Sequence, residues 1–98
     1  MTPDSEEWPF SEPKSTPVYT TKRVVYRRFP VLLVEHPEAG IWQFLDGHPV
    51  TREDGALVSL EYLVSQDPEL SELADLPEGW KASRAATGFA WERAEIYA

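Results

Sequence analysis

The feature that most constrains this chain is its run of β-branched and aromatic residues between Val18 and Val34. Such residues favour extended backbone, because their side chains pack well on a pleated surface. Within the run, Val31–Val34 is the longest unbroken apolar stretch, whereas a membrane helix needs about 20 such residues, so no transmembrane segment is expected. A short continuous apolar run instead predicts a central strand that is buried on both faces.

Turn residues divide the rest of the chain into further strands. Proline fixes φ and glycine accepts positive φ, so turns are predicted at residues 36–40, 46–47, 51–55 and 87–88. Strands are then predicted near 18–28, 31–35, 41–45 and 56–58, with a C-terminal hairpin formed by 80–86 and 89–97.

Helical signals occur only between residues 59 and 75. Ser59 is a good N-cap and is followed by apolar residues at helical spacing, and Asp67-Pro68 is a second capping signal with proline at the first helical position. Strands, then helices, then strands indicate an α+β fold. We therefore predict one small domain with a mainly antiparallel sheet and one or two short helices, at about 59–75, packed on one face.

The N-terminal segment, residues 1–17, is predicted to be a proline-rich acidic arm, and residues 18–98 the α+β domain. The arm contains four of the nine prolines, which lack the amide donor that a helix or a strand ladder requires. Trp8-Pro9-Phe10 carries two aromatic side chains that would be buried either on the domain or on a second copy. The second alternative predicts a homodimer that exchanges its arms.

Charge is unevenly distributed along the sequence. The net charge is −8, and residues 35–80 contain eleven acidic residues and Arg52 as their one basic residue. An acidic protein repels nucleic acid and anionic membranes, so neither is expected as a partner, and a basic protein is the expected one. The alternative is that the charge only maintains solubility. The chain contains no cysteine and no apolar leader, so we expect a cytoplasmic protein without disulfides.

No pattern of residues indicates catalysis, so we expect neither an enzyme nor a cofactor. The five glycines lie at least seven residues apart, which excludes the usual phosphate-binding loops. Asp46 and His48, with Glu35 or Glu38, are metal-ligand types, but their spacing matches no known metal motif. We therefore interpret His48 as a surface turn residue and expect no metal.

The candidate binding residues are aromatic and charged side chains of the middle and C-terminal regions. Acidic residues such as Asp46, Glu53, Asp54, Asp67 and Glu69 would meet a basic cleft, beside an aromatic anchor. Trp80 and Trp91 lie close in sequence to Lys81, Arg84 and Arg93, so stacking of a guanidinium on an indole is also expected. The predicted binding set is Trp42, Asp46, Glu53, Asp54, Trp80 and Arg84, although the apolar neighbours of Trp42 favour a place in the core.

Two sequence blocks carry a resemblance to a bacterial family. The Trp-Gln-Phe-Leu-Asp-Gly block at 42–47 and the Leu-Pro-Glu-Gly-Trp block at 76–80 resemble a domain, first catalogued without a function, that has been assigned to the immunity proteins of polymorphic toxin systems. The resemblance covers roughly residues 24–93. It departs from the family at 48–52, where a denser acidic stretch is usual. It implies a protein that inhibits a basic toxin by binding it.

These observations favour two function hypotheses from different classes; a third, an enzyme, has no motif to support it and would need a metal at Asp46 and His48. The first is a non-enzymatic protein-interaction domain, as the resemblance and the acidic segment suggest. The second is a small-ligand-binding accessory domain, with a pocket between the sheet and the helices that contains Trp80, Arg84 or Trp91.

Overall fold

The structure, a computed structural model, describes residues 8–97 of the chain. Six strands lie within them: β1 (Pro17–Thr21), β2 (Leu33–His36), β3 (Gln43–Leu45), β4 (Gly55–Ser59), β5 (Trp80–Ser83) and β6 (Glu92–Glu95). The α-helices are α1 (Lys22–Arg27) and α2 (Leu60–Gln66), and two 3-10 helices span Arg52–Asp54 and Pro68–Leu73. No helix formed by residues 8–97 has the length and apolar character needed to cross a bilayer.

All six strands form one sheet in the order β4-β1-β3-β2-β5-β6. Strands β1 and β3 run parallel, and every other neighbouring pair is antiparallel. The predicted α+β class, with a mainly antiparallel sheet, is confirmed. The parallel pair was not predicted, and it requires the chain to cross over between β1 and β3 by way of α1 and β2.

The helical segments pack on one face of the sheet and form the core with it. On that face Val18, Val34, Phe44 and Ala82 are completely buried. Five buried leucines cover them. Two come from α2, two from the second 3-10 helix and one from the segment before β5: Leu60, Leu63, Leu70, Leu73 and Leu76. Burial of each leucine stabilises the fold by about 1.5–3 kcal/mol, so this interface dominates stability.

The N-termini of the helical segments agree with the sequence prediction. The Ser59 side chain accepts a hydrogen bond from the Tyr62 amide and caps α2. Asp67 accepts one from the Glu69 amide, with Pro68 at the first helical position. The second segment is a 3-10 helix rather than a continuation of α2, because Asp67 takes an extended conformation between the two.

The strand predicted at 18–28 is wrong beyond Thr21. Thr21 instead caps α1 by accepting a hydrogen bond from the Val24 amide. Val24 packs against the core, so tertiary burial outweighs the strand preference of its β-branched side chain. Helix α1 ends at Arg28, which takes the left-handed conformation with φ 57°.

The C-terminal hairpin is confirmed, although its strands are shorter than predicted. Strand β5 pairs with β6 from Trp80 opposite Glu95 to Ser83 opposite Glu92. Gly88, in the predicted turn, has φ 87°, which a residue with a side chain rarely adopts.

The described part of the N-terminal segment packs on its own domain. Phe10 is buried and meets the Trp42 ring edge-on at 5.6 Å between ring centroids. The Trp8 indole lies 5.5 Å from Phe10 and donates a hydrogen bond to the Glu12 carbonyl. Phe10 therefore completes the core, while residues 1–7 of the predicted arm 1–17 lie outside the described residues. Arm exchange between copies stays a prediction.

Candidate functional site

Three of the predicted binding residues lie in the interior. Trp42 is stacked between His36, at 4.0 Å between ring centroids, and Phe44, at 5.8 Å. Its indole N–H donates to the Glu12 carboxylate at 2.9 Å. Trp42 is therefore part of an aromatic core, as its apolar neighbours indicated, and it presents no surface to a partner.

Asp46 is the second interior residue, with 2% of its surface exposed. It accepts hydrogen bonds from Arg23 Nε at 2.6 Å and from the His48 amide at 2.9 Å. The same guanidinium lies 3.2 Å from Asp54 Oδ2. Arg23 belongs to the basic stretch 22–28, so this pair joins that stretch to the acidic segment 35–80.

This cluster lowers the pKa of both carboxyls. Burial of Asp46 acts to raise its pKa, but the hydrogen bonds from Arg23 and from the His48 amide outweigh that effect, and the pKa is held below its usual value. The hydroxyl and amide of Thr51 donate to Asp54 and lower its pKa, with a smaller contribution from Arg23. Both aspartates are bonded within the chain. The buried Asp46 carboxylate is not available to a partner, whereas the Asp54 side chain stays 32% exposed.

Arg84 is the third interior residue, and its side chain is completely buried. It donates to the Val31 carbonyl at 3.0 Å, to Asp67 at 2.6 Å and to Glu69 at 2.7 Å. Its guanidinium also stacks on the Trp91 ring at 4.2 Å, which confirms the predicted arginine–indole contact. Arg84 thus holds the end of β5 against Asp67 and the 3-10 helix that follows it. Asp67 and Glu69, which were expected to meet a basic cleft, are bonded within the chain.

The remaining predicted residues lie closer to the surface. Glu53 is exposed in the 3-10 helix before β4. Trp80 is half-buried on β5, opposite His36 on one side and Glu95 on the other. The predicted set is therefore not brought together as one site. Among residues 8–97, no group of three metal-ligating side chains converges, and His48 approaches Asp46 to 3.5 Å while its side chain is largely exposed.

The second face of the sheet carries no helix in the described part of the chain. One register line runs across all six strands on this face, through Leu57, Tyr19, Gln43, Glu35, Lys81 and Ala94. We call these six residues the open face. Its β4 end is apolar, because Leu57 is 64% exposed and Tyr19 lies beside it. The hydrophobic pattern of Ala56–Val58 predicted the strand, but not its place at the sheet edge, which depends on long-range pairing.

A cleft of about 620 Å³ opens on the helical side, between α1 and α2. Its walls include Val25, Phe29, Tyr62 and Leu63, and Arg28 stands at its rim. None of Trp80, Arg84 and Trp91 lines it, so the pocket lies elsewhere than the ligand hypothesis expected. The cleft was not predicted because residues 22–28, which form one of its walls, were interpreted as a strand. A helix signal was present, since a threonine such as Thr21 can cap a helix by accepting a hydrogen bond from the amide three residues later.

No protein-family model matches this chain, and comparison with curated proteins and with solved structures finds no similar protein.

Proposed function

We propose that this chain is a non-enzymatic protein-interaction domain that binds an extended, basic segment of its partner along the edge strand β4. The observation that carries the proposal is that β4 lies at the edge of the sheet and contains neither a charged residue nor a proline. Unprotected edges of this kind pair readily with a strand from another chain.

The hydrogen-bond register defines which backbone groups β4 offers. The Leu60 amide donates to the Thr16 carbonyl at 2.8 Å, so the alternate residues Val58 and Ala56 also face β1. The N–H and C=O groups of Leu57 and Gly55 therefore point away from the sheet. They can pair with an added strand without disturbing β1.

The opposite edge of the sheet is protected. Strand β6 carries Glu92, Arg93 and Glu95, and all three side chains are exposed. Charged side chains on an edge discourage strand addition. The two edges thus differ in chemistry, which favours β4 as the docking strand.

The surface around β4 favours a partner with an apolar centre and basic ends. Leu57 and Tyr19 provide apolar surface beside the edge, and the Tyr19 ring lies directly over Gly55. Glu53 precedes the strand and Glu61 follows it; both are exposed, and Glu61 lies 3.8 Å from Lys14 Nζ in a surface ion pair. Their carboxylates, within a chain of net charge −8, attract lysine or arginine at either end of an added strand.

The narrower role that we propose is an immunity-like inhibitor of a basic toxin. It is supported by the resemblance of the blocks at 42–47 and 76–80 and by the net charge of −8. In this role the toxin would supply the basic segment that pairs with β4.

The test compares proline substitutions on the two edges. Leu57→Pro removes an outward-facing N–H and leaves the β1 ladder intact, so binding of the partner should weaken by about tenfold or more. Glu95→Pro on β6 is the matched control. The Ile96 amide donates to the Gly79 carbonyl, so the N–H of Ile96 faces β5 and that of its neighbour Glu95 faces away from the sheet, like that of Leu57. Equal loss of binding in both variants would contradict docking at β4.

The partner is obtained by capture from a lysate of the source organism, with a photo-crosslinking residue at position 57. A basic protein that crosslinks at this position and elutes at about 0.3–0.5 M salt, where the Debye length is a few ångström, supports the proposal. Absence of any crosslinked protein, or elution that does not depend on salt, contradicts it.

A further inference from the structure

We propose that the cleft between α1 and α2 binds a small molecule with an apolar body and one carboxylate group, at a site separate from the β4 edge. The cleft has a volume of about 620 Å³, within the range of about 300–1,000 Å³ that is typical of small-molecule sites. No residue of β4 lines it.

The walls of the cleft fit an apolar body. Val24 and Val25 form one side, Leu63 and the Tyr62 ring form the other, and Phe29 is half-buried between them. An apolar group that enters the cleft removes these side chains from water, which is the main favourable contribution to binding at such a site.

The rim of the cleft fits an anion at one end. Arg28 is exposed there, and it makes no ion pair with any residue among 8–97. The two carboxylates that also line the cleft, Asp67 and Glu69, are both bonded to the buried Arg84 guanidinium. Arg28 is therefore the basic residue of the lining that no carboxylate among residues 8–97 holds, and its guanidinium pairs well with a carboxylate.

The backbone of Arg28 sets the course of the chain at this end of the cleft. Its φ of 57° ends α1 in the left-handed conformation, where glycine is the favoured residue. The Phe29 amide donates to the Arg23 carbonyl at 3.1 Å, as is common where a helix ends in this way. The conformation also turns the chain from α1 into Phe29 and Pro30, which continue the wall of the cleft.

The test uses octanoate as the probe and octanol, which has the same chain without the charge, as its control. Two-dimensional NMR should show octanoate shifting the amide resonances of Val25, Phe29 and Leu63, with octanol binding about tenfold more weakly. Absence of shifts at these residues at millimolar octanoate, or equal affinity for the two probes, overturns the proposal.

Variants at the helix end separate ligand binding from folding. Arg28→Gly should weaken octanoate binding by about tenfold while raising the melting temperature, because glycine suits the left-handed conformation. Arg28→Lys keeps the charge and should retain most of the affinity. Arg27→Ala removes an exposed charge from the same turn outside the cleft and should leave binding unchanged. Wild-type affinity in Arg28→Gly, or equal loss in Arg27→Ala, overturns the proposal.

Discussion

Individual arginines hold this molecule together across long sequence separations. Arg23 joins α1 to Asp46, and Arg84 joins β5 to Val31, Asp67 and Glu69. Sequence reasoning identified Arg84 and the acidic residues as conspicuous, but assigned them to a partner. A charge pattern does not reveal whether opposite charges meet within one chain or between two, because that depends on where the fold places them.

At this scale we predict that Arg84→Met destabilises the protein by about 3 kcal/mol, since loss of one member of a buried ion pair leaves its partners uncompensated. Arg93→Met is the matched control. Arg93 pairs with Asp75 at 2.8 Å, but the Asp75 side chain is 79% exposed, and such surface pairs contribute about 0–1 kcal/mol. Urea denaturation measures both variants. A similar decrease in the free energy of unfolding for the two variants would show that the buried contacts of Arg84 contribute no more than a surface ion pair.

At the scale of helices and strands, the elements whose signals lie in neighbouring residues were predicted correctly, and those that depend on distant residues were not. The caps at Ser59 and Asp67, the C-terminal hairpin and the core face of α2 all depend on neighbouring residues, and they were predicted. Helix α1 was mistaken for a strand, because its capping signal at Thr21 lies within a β-branched stretch. The parallel pairing of β1 with β3 and the edge position of β4 were not predicted, since strand order depends on long-range packing.

The segment before β1 supports a prediction at the same scale. Phe10 is 5% exposed and packs on Trp42, so Phe10→Ala should lower the free energy of unfolding by about 3–5 kcal/mol. Phe89→Ala changes a side chain that is 61% exposed and should cost less than about 0.5 kcal/mol. Urea titration at a concentration where the protein is monomeric is the measurement. A loss below about 1 kcal/mol for Phe10→Ala would mean that this segment does not complete the core in solution.

At the scale of the whole molecule, the uneven charge of the sequence is partly neutralised by folding. The acidic stretch 35–80 supplies the carboxylates, and basic residues from outside it supply the counter-charges: Lys14, Arg23, Arg84 and Arg93. The charge that remains for a partner comes from exposed carboxylates such as Glu53, which precedes β4. The negative charge on any one docking surface is therefore smaller than the net charge of the whole chain suggests.

This internal pairing makes the whole fold sensitive to acid. The pKa values of Asp46, Asp54 and Asp75 are lowered in the folded protein, for Asp75 through the hydrogen bond from Arg93. A carboxyl with a lowered pKa stabilises the fold above its unfolded pKa, about 3.9, and this stabilisation is lost as pH falls through the folded value. The free energy of unfolding should therefore be nearly constant from about pH 7 to 5 and should fall below about pH 4. Asp46→Asn should be less stable at neutral pH and should lose less on acidification, since its amide does not titrate. Urea midpoints between pH 7 and pH 3 measure this, and an acid dependence equal to that of the wild type would rule out Asp46 as a contributor.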